Sequence, residues 1–105
     1  MVKYDLNEVF HSLADPTRRD ILTQTIERSK TISELVERYD MSFVAVAKHV
    51  AVLERAQLVR KQRRGREQLV QASPSALRFA ASQLQRYEQL WNNRFDHLEE
   101  VINKE

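Results

Sequence analysis

The chain has 105 residues, of which 42% are hydrophobic and 30% charged, with one glycine, two prolines and no cysteine. These values favour one small, helix-rich folded domain and exclude disorder, disulfides and thiolate metal ligands. No apolar run reaches the roughly 18 residues that a membrane span needs, and no secretory signal is recognisable. We therefore predict a soluble, cytoplasmic protein with no membrane partner.

The charges are distributed unevenly, although the formal net charge is only +2. Between Lys48 and Arg66 the chain has seven basic residues and one acid, whereas from Asp96 to the end it has four acids and one lysine. A basic middle and an acidic tail indicate that one surface meets an anionic partner and another does not.

Two helices are predicted before residue 30. Asp15 can cap the second of them, with Pro16 at its first position, where the missing N–H costs nothing. Apolar spacings of three, one and three mark one face of the first helix at Leu6, Val9, Phe10 and Leu13. The second helix is expected to bury Ile21, Leu22, Thr25 and Ile26.

A helix-turn-helix unit is predicted for residues 31–55. Thr31 and Glu34 have the spacing of a capping box at the start of a short third helix. Residues 39–41 break the pattern, and Ser42 can cap a fourth helix that runs to about Arg55. Two helices joined by so short a turn are typical of this motif.

The fourth helix is predicted to have two different faces. Val46, Val50 and Leu53 recur every three or four positions and should pack on the preceding helices, where Phe43 can join them. The opposite face has small side chains and two basic ones, which suit the major groove of B-DNA. Its members are Ser42, Val44, Ala45, Lys48, His49 and, at the border, Ala47.

A β-hairpin, the predicted wing, is expected over residues 58–72, with Gly65 at its turn. A two-residue loop of Arg64 and Gly65 would place Arg63 opposite Arg66, and a bulged turn would shift that register. Like charges across a strand pair destabilise it, and a polyanion nearby would turn that cost into binding energy. The alternative is a solvated edge whose charges prevent aggregation.

The last predicted helix, residues 74–103, is too long for the body of the protein. Ser73 and Pro74 provide the start signal, and the uninterrupted pattern gives about 43 Å of helix against a body of roughly 33 Å. The apolar residues recur close to a heptad, with Arg94 as the one break, at Leu77, Ala80, Leu84, Tyr87, Trp91, Leu98 and Val101. A second copy of the chain can cover a stripe of this length, and one small domain cannot.

Three segments carry a resemblance to a known family: FHSLADPTRRDIL, ISELVERYDMSFVAVAKHVAVLERAQLV and RRGREQLVQASPSALR. They resemble the ArsR family of winged helix-turn-helix transcriptional regulators, over almost the whole chain. Elements and resemblance together predict a mainly α-helical single domain, residues 1–105, of five helices and a two-stranded wing. The resemblance also implies a dimer, formed largely by the first and last helices, that binds a palindromic operator in double-stranded DNA and represses transcription.

The resemblance and the patterns together assign the contact residues. The predicted DNA contacts are Ser42, Val44, Ala45, Lys48, His49, Arg63, Arg64 and Arg66. The predicted dimer contacts are Leu6, Val9, Phe10, Leu84, Tyr87, Trp91 and Leu98. Departures from the family pattern are Ala47, where a Ser or Thr often meets DNA, Val44, where Pro is frequent, and Gln57, where Gly is usual. We therefore expect the fourth helix to read DNA through methyl and shape contacts, with the wing supplying much of the affinity.

No cofactor, metal or catalytic site is predicted. The chain lacks a nucleophile elbow, a glycine-rich phosphate loop and a paired-histidine motif, so an enzyme is not expected. The residues with some of the features of a weak metal site are Asp96, His97 and Glu100, although no histidine lies upstream in the same helix. His11 is assigned to the dimer face or core. The alternatives are a protein-interaction module of the same fold and a metal-dependent sensor, and the sequence specifies no inducer, operator or regulated gene.

Overall fold

The computed structural model describes residues 3–103, and within them the chain forms five helices and three strands. In chain order these are α1 (Leu6–Leu13), α2 (Pro16–Glu27), β1 (Lys30–Thr31), α3 (Ile32–Arg38), α4 (Phe43–Arg55), β2 (Val59–Arg64), β3 (Glu67–Ala72) and α5 (Pro74–Asn103). The expected winged helix-turn-helix architecture is confirmed, with α3 and α4 as its helices and β2 and β3 as the wing. A single domain over residues 1–105 stays a prediction, and residues 1, 2, 104 and 105 lie outside the described range.

The first four helices each begin with a side chain that accepts a hydrogen bond from the first turn. Asp15, Thr31 and Ser42 take this role as predicted, whereas the cap at Asp5 was not expected. In the capping box, Glu34 N donates to Thr31 Oγ1 at 3.1 Å, and Thr31 N donates to the Glu34 carboxylate at 3.1 Å. Such caps stabilise a helix by typically about 1 kcal/mol and fix where it starts.

The core lies where α1 to α4 meet the root of the wing and the start of α5. The predicted inner face of α4 is confirmed, because Val46, Val50 and Leu53 are fully buried. Buried apolar residues from other parts of the chain pack with them, among them Val9, Ile21, Leu35, Leu58, Val70 and Ala76. The predicted burial of two residues is wrong, since Ile26 is 60% exposed and Phe43 is 51% exposed. Both lie at helix ends, where neighbouring elements no longer cover the predicted face.

The wing belongs to a three-stranded antiparallel sheet in the order β1-β3-β2, one strand more than expected. The extra strand has two residues, of which Lys30 pairs with Val70 and Thr31 with Leu69. Two residues are too few to show the alternation that identifies a strand in a sequence. Because Thr31 also caps α3, this pairing joins the base of the wing to the start of the helix-turn-helix.

The register of the wing also differs from the expected one. Arg64 pairs with Glu67, so the two turn residues are Gly65 and Arg66, and the predicted opposition of Arg63 and Arg66 is wrong. Gly65 has φ +64° and stands first in the turn, the position that favours glycine in a type II′ hairpin. Opposite charges therefore flank the turn, and the hairpin needs no anion to relieve a repulsion between facing arginines.

The end of α4 has a glutamine where the family pattern has glycine. Gln57 adopts φ +62°, Leu58 N donates to Leu53 O at 3.0 Å, and Gln57 N donates to Glu54 O at 2.9 Å. These two bonds, with Leu53 and Leu58 both fully buried, form a Schellman motif. A left-handed residue other than glycine costs about 1–2 kcal/mol, offset in part by a hydrogen bond of 2.8 Å from Gln57 Nε2 to Lys3 O.

The last helix, α5, extends far beyond the core. Its first turns are buried at Ala76 and Ala80, but from Leu84 to Ile102 every large apolar side chain is exposed. Its 30 residues correspond to about 45 Å, and the molecule measures 71 × 34 × 22 Å. No helix among the described residues combines the length and apolarity needed to cross a membrane.

Candidate DNA-binding interface

The outer face of α4 is mostly apolar at its start. Val44 is 61% exposed, beside the exposed ring of Phe43, and Lys48 reaches solvent one turn later. The Ser42 hydroxyl accepts from Ala45 N at 3.1 Å, so its oxygen is already engaged as the helix cap. Ala45 is half-buried and has only a methyl group to offer. The arrangement suits contact with the C5 methyl groups of thymine more than a dense set of hydrogen bonds.

His49 lies differently from the other predicted contacts, because its ring leans against the start of α2. Its Nδ1 is 3.3 Å from Nη1 of Arg18 and 3.9 Å from Oδ2 of Asp15, and the side chain is largely buried. The Asp15 carboxylate also accepts the backbone N–H of Arg18 at 3.0 Å, which is the main cause that holds the Asp15 pKa below its usual range. The predicted DNA contact of His49 stays a prediction.

The tip of the wing concentrates exposed positive charge. Arg63, Arg64 and Arg66 are exposed, and within residues 3–103 no carboxylate lies within ion-pair distance of their guanidinium groups. By contrast, Lys61 Nζ lies 3.3 Å from Glu54 Oε1, which ties the wing to α4. The three arginines are thus available to an anion outside the chain, and the planar fork of arginine suits phosphate oxygens.

A polar cluster holds α2 against α3 and was not expected from the sequence. Arg38 donates to Asp20 through Nε at 2.6 Å and through Nη2 at 3.1 Å, and the Tyr39 hydroxyl donates to the same carboxylate. The Arg38 guanidinium holds the Asp20 pKa below its usual range, while burial raises the pKa of Tyr39. Periodicity cannot reveal the cluster, because its partners are far apart in the chain and at unrelated helical positions.

The predicted dimer residues fall into two groups. On α5, Leu84, Tyr87, Trp91 and Leu98 are all exposed along one face. On α1, Phe10 is exposed and Leu6 is half-buried, whereas Val9 is fully buried in the core. Val9 has no surface to offer a partner, so its assignment to the dimer contacts is wrong. His11 is exposed on α1, so its assignment to the core is wrong, and its assignment to the dimer face stays a prediction.

The candidate metal ligands near the end of the chain lie on α5. In the part of the chain that the structure describes, no three His, Asp or Glu side chains are arranged to hold a metal ion. Asp96, His97 and Glu100 are exposed in the last turns of α5.

Known proteins share both the sequence and the fold. A family model described as a helix-turn-helix domain matches residues 13–62. An ArsR-like transcriptional regulator from Rhodococcus sp. RHA1 is 32% identical, with a TM-score of 0.82 over 91% of each chain. This chain belongs to the ArsR family.

Two Bacillus subtilis relatives are similar over more than half of this ArsR-family chain. The HTH-type transcriptional regulator YuzN is 43% identical over 65 residues, which cover 55% of this chain and 71% of YuzN. The transcriptional repressor SdpR is 30% identical over 60 residues, which cover 57% of this chain and 67% of SdpR. The protein is therefore a helix-turn-helix, DNA-binding transcriptional regulator, as expected from the sequence, and its relatives are regulators and not enzymes.

Proposed function

We propose that this regulator is a homodimeric repressor that binds a palindromic operator in double-stranded DNA, in the cytoplasm. The observation that carries the proposal is the exposed apolar stripe of α5. It consists of Leu84, Tyr87, Leu90, Trp91, Phe95, Leu98, Val101 and Ile102. Monomeric soluble proteins rarely expose contiguous apolar surface on this scale, so the stripe indicates an interface.

A second copy of the chain is the partner that fits the stripe best. A two-fold symmetric pair brings the same surface from each subunit, and aromatic residues such as Trp91 and Phe95 are typical anchors of such interfaces. Their rings already form an edge-to-face pair with centroids 5.4 Å apart, which presents one continuous apolar surface. Phe10 of α1 lies on a helix that contacts α5 and extends the same interface.

Two-fold symmetry determines what the operator looks like. Each subunit places α4 in a major groove, with Ser42, Val44, Ala45, Lys48 and His49 towards the bases. The wing arginines reach flanking phosphates or the adjacent minor groove. The half-sites then form an inverted repeat whose centres lie about 34–36 Å apart, or a multiple of that distance. The proposed repression is supported by the similarity of this chain to the transcriptional repressor SdpR.

Selection of bound sites from random DNA, combined with the oligomeric state, tests the proposal. We expect a dimer by light scattering at micromolar concentration and enrichment of inverted repeats. A Trp91→Glu, Phe95→Glu variant should be a folded monomer that retains only weak half-site binding. A wild-type monomer, or selected sites without symmetry, would contradict the dimeric function, and no enrichment at all would favour the protein-interaction alternative.

The wing has its own test, because phosphate contacts release counterions. Replacing Arg64 and Arg66 with Ala should weaken binding to all sequences and reduce the slope of log affinity against log salt by about one unit for each lost contact. Arg86→Ala removes an exposed guanidinium from α5 and is the matched control. An unchanged slope in the wing variant would remove these arginines from the DNA contacts.

Recognition of thymine C5 methyl groups by α4 can be tested by changing the DNA. Deoxyuridine in place of thymine removes only the C5 methyl group, so it should weaken binding at the positions that Val44 contacts. The Val44→Ala variant should lose less affinity on this substitution than the wild type. Equal losses for both proteins would show that Val44 does not contact a thymine methyl.

A Lys48→Ala variant should change the sequence preference of the protein, whether or not Val44 contacts a methyl group.

Transcription from the DNA upstream of the protein's own gene is the test of repression. A reporter carrying that region should be expressed at a low level with the wild-type protein and at a high level without it. The Trp91→Glu, Phe95→Glu variant should leave the reporter expressed. A reporter that needs the wild-type protein for expression would identify an activator instead.

A further inference from the structure

Arg18 joins three helices through a single side chain. Its Nε donates to Ser12 O at 2.7 Å and its Nη2 donates to His11 O at 3.1 Å, both at the end of α1. Its remaining terminal nitrogen, Nη1, lies 3.3 Å from Nδ1 of His49 on α4. The guanidinium is therefore held from one side by carbonyl groups and aimed at the imidazole on the other.

The contact with Arg18 is compatible with one neutral tautomer of His49. A guanidinium has N–H donors and no acceptor, so in a hydrogen bond between Arg18 and His49 the Nδ1 atom accepts through its lone pair. An imidazole that accepts at Nδ1 is neutral and has its one proton on Nε2. Asp15 is 3.9 Å from Nδ1, which is too far for a competing hydrogen bond.

The other ring nitrogen is free to act outside the chain. Within residues 3–103, His49 Nε2 has no hydrogen-bond partner, and no buried side-chain nitrogen or oxygen lacks one. Nε2 is therefore not fully buried, even though most of the side chain is covered. His49 lies on α4, one position after Lys48. Its Nε2–H can donate to a phosphate oxygen or to guanine N7 or O6.

We propose that Arg18 is a positioning residue for DNA recognition, which holds His49 in the tautomer whose Nε2–H donates to the operator. Arg18 itself does not need to touch DNA. The inference rests on the proposed DNA-binding role of α4 and adds to it that a residue of α2 selects the hydrogen-bonding character of one reading residue. The rigid support of the ring also lowers the entropy cost of ordering His49 on the DNA.

The tautomer can be measured in the free wild-type protein by ¹⁵N chemical shifts of the imidazole nitrogens at a pH where His49 is neutral. We expect a protonated Nε2 and an unprotonated Nδ1 for His49, with His49→Gln used to assign its signals. Arg18→Met, which keeps most of the stem and removes the guanidinium, should give a mixture of both tautomers. A wild-type ring with the proton on Nδ1, or an evenly mixed population, would overturn the proposal without any DNA present.

Operator affinity then tests the consequence through a double-mutant cycle. His49→Ala and Arg18→Met should each weaken binding by about tenfold, and the double variant should lose little more than either single variant. His49→Gln, whose amide can donate from nearly the same place as Nε2, should retain most of the affinity and be insensitive to Arg18→Met. Additive losses would show that Arg18 acts independently of His49 and would overturn the proposal.

Arg19→Met is the matched control, because Arg19 donates to Leu13 O at the end of α1 at 2.7 Å, and within residues 3–103 it makes no hydrogen bond to His49. This variant should keep the wild-type tautomer of His49 and the wild-type operator affinity. If Arg19→Met lost as much affinity as Arg18→Met, the effect would belong to the junction of α1 and α2, and the positioning role would be refuted. Failure of the wild type to bind any selected DNA would instead contradict the proposed function.

Discussion

The inner face of α4 and the outer half of α5 have the same kind of sequence and opposite surroundings. Both repeat large apolar residues every three or four positions, yet Val46, Val50 and Leu53 are fully buried, whereas Trp91 is 63% exposed and its neighbours on the stripe resemble it. The periodicity locates an apolar face in both cases. It does not say whether the same chain or another one covers that face, which is decided by helix length relative to the core.

This difference also separates two sources of stability. A fully buried Leu or Val stabilises the fold by about 1.5–3 kcal/mol, and the body of the protein has many of them. The outer half of α5 makes no such contacts within the described residues, so in one copy it depends on intrinsic helix propensity, which is marginal for a free segment in water. We therefore expect the body to fold by itself and the end of α5 to become stable on pairing.

Replacing one leucine with alanine on α4 and another on α5 should give the largest effect and the clearest contrast between the two regions. Leu53→Ala should lower the free energy of unfolding by about 3 kcal/mol at every protein concentration, because it leaves a cavity in the core. Leu98→Ala should change stability only through the dimer, so its effect should vanish on dilution. Urea denaturation at two protein concentrations measures both, and a concentration-independent loss in Leu98→Ala would contradict the contrast.

The centre of the stripe should behave as an energetic anchor. Trp91→Ala should weaken the dimer by roughly 30-fold, since buried tryptophans at interface centres contribute about 2 kcal/mol or more. Analytical ultracentrifugation over a dilution series provides the dissociation constant. Asn93→Ala, on the opposite face of α5 by helical geometry, is the control and should leave it unchanged. Equal effects of both changes would point to loss of helix and not of contact.

The end of α4 offers a change that should strengthen the body alone. Gln57→Gly relieves the left-handed conformation and should raise the free energy of unfolding by up to about 1 kcal/mol. Gln57→Ala keeps that conformation and loses the hydrogen bond to Lys3 O, so it should be no more stable than the wild type. Thermal unfolding compares the three proteins, and a less stable glycine variant would mean that the side chain contributes more than the strain.

The smallest expected effect concerns Asp20 and pH. Because the folded-state pKa of Asp20 lies below the unfolded value, its contribution is fully present above about pH 4 and is lost as the pH falls through the folded pKa. Asp20→Asn should therefore cost roughly 1 kcal/mol or less at neutral pH, given the exposure of the pair. The difference from wild type should shrink towards pH 3. Denaturant titrations at pH 7, 5 and 3 test this, and a constant difference would exclude ionisation as the cause.

The features that the sequence predicted are those that neighbouring residues encode. Caps at Asp15, Thr31 and Ser42, the helices between them and the hairpin around Gly65 each depend on residues within a few positions of one another. The placement of the wing turn was wrong by one residue because a single glycine fits both Arg64-Gly65 and Gly65-Arg66. Only the pairing of the whole strands, from Val59 with Ala72 onwards, distinguishes the two.

The features that the sequence did not predict depend on distant parts of the chain. β1 exists only because β3 pairs with it, and two residues have no periodicity of their own. The contact of Arg18 with His49 depends on how α2 crosses α4, which no local pattern encodes. The same holds for the exposure of Phe43, since the covering of a helix end is a property of the neighbouring elements.

The long exposed stripe of α5 also affects how operator occupancy depends on the concentration of the protein. Below the dissociation constant of the proposed dimer, the dimer concentration rises with the square of the chain concentration, so doubled expression gives about four times as much binding-competent protein. The switch from free to occupied operator is then steeper than a single chain could achieve. Substitutions along the stripe shift the expression level at which that switch occurs, and they leave every contact to the bases unchanged.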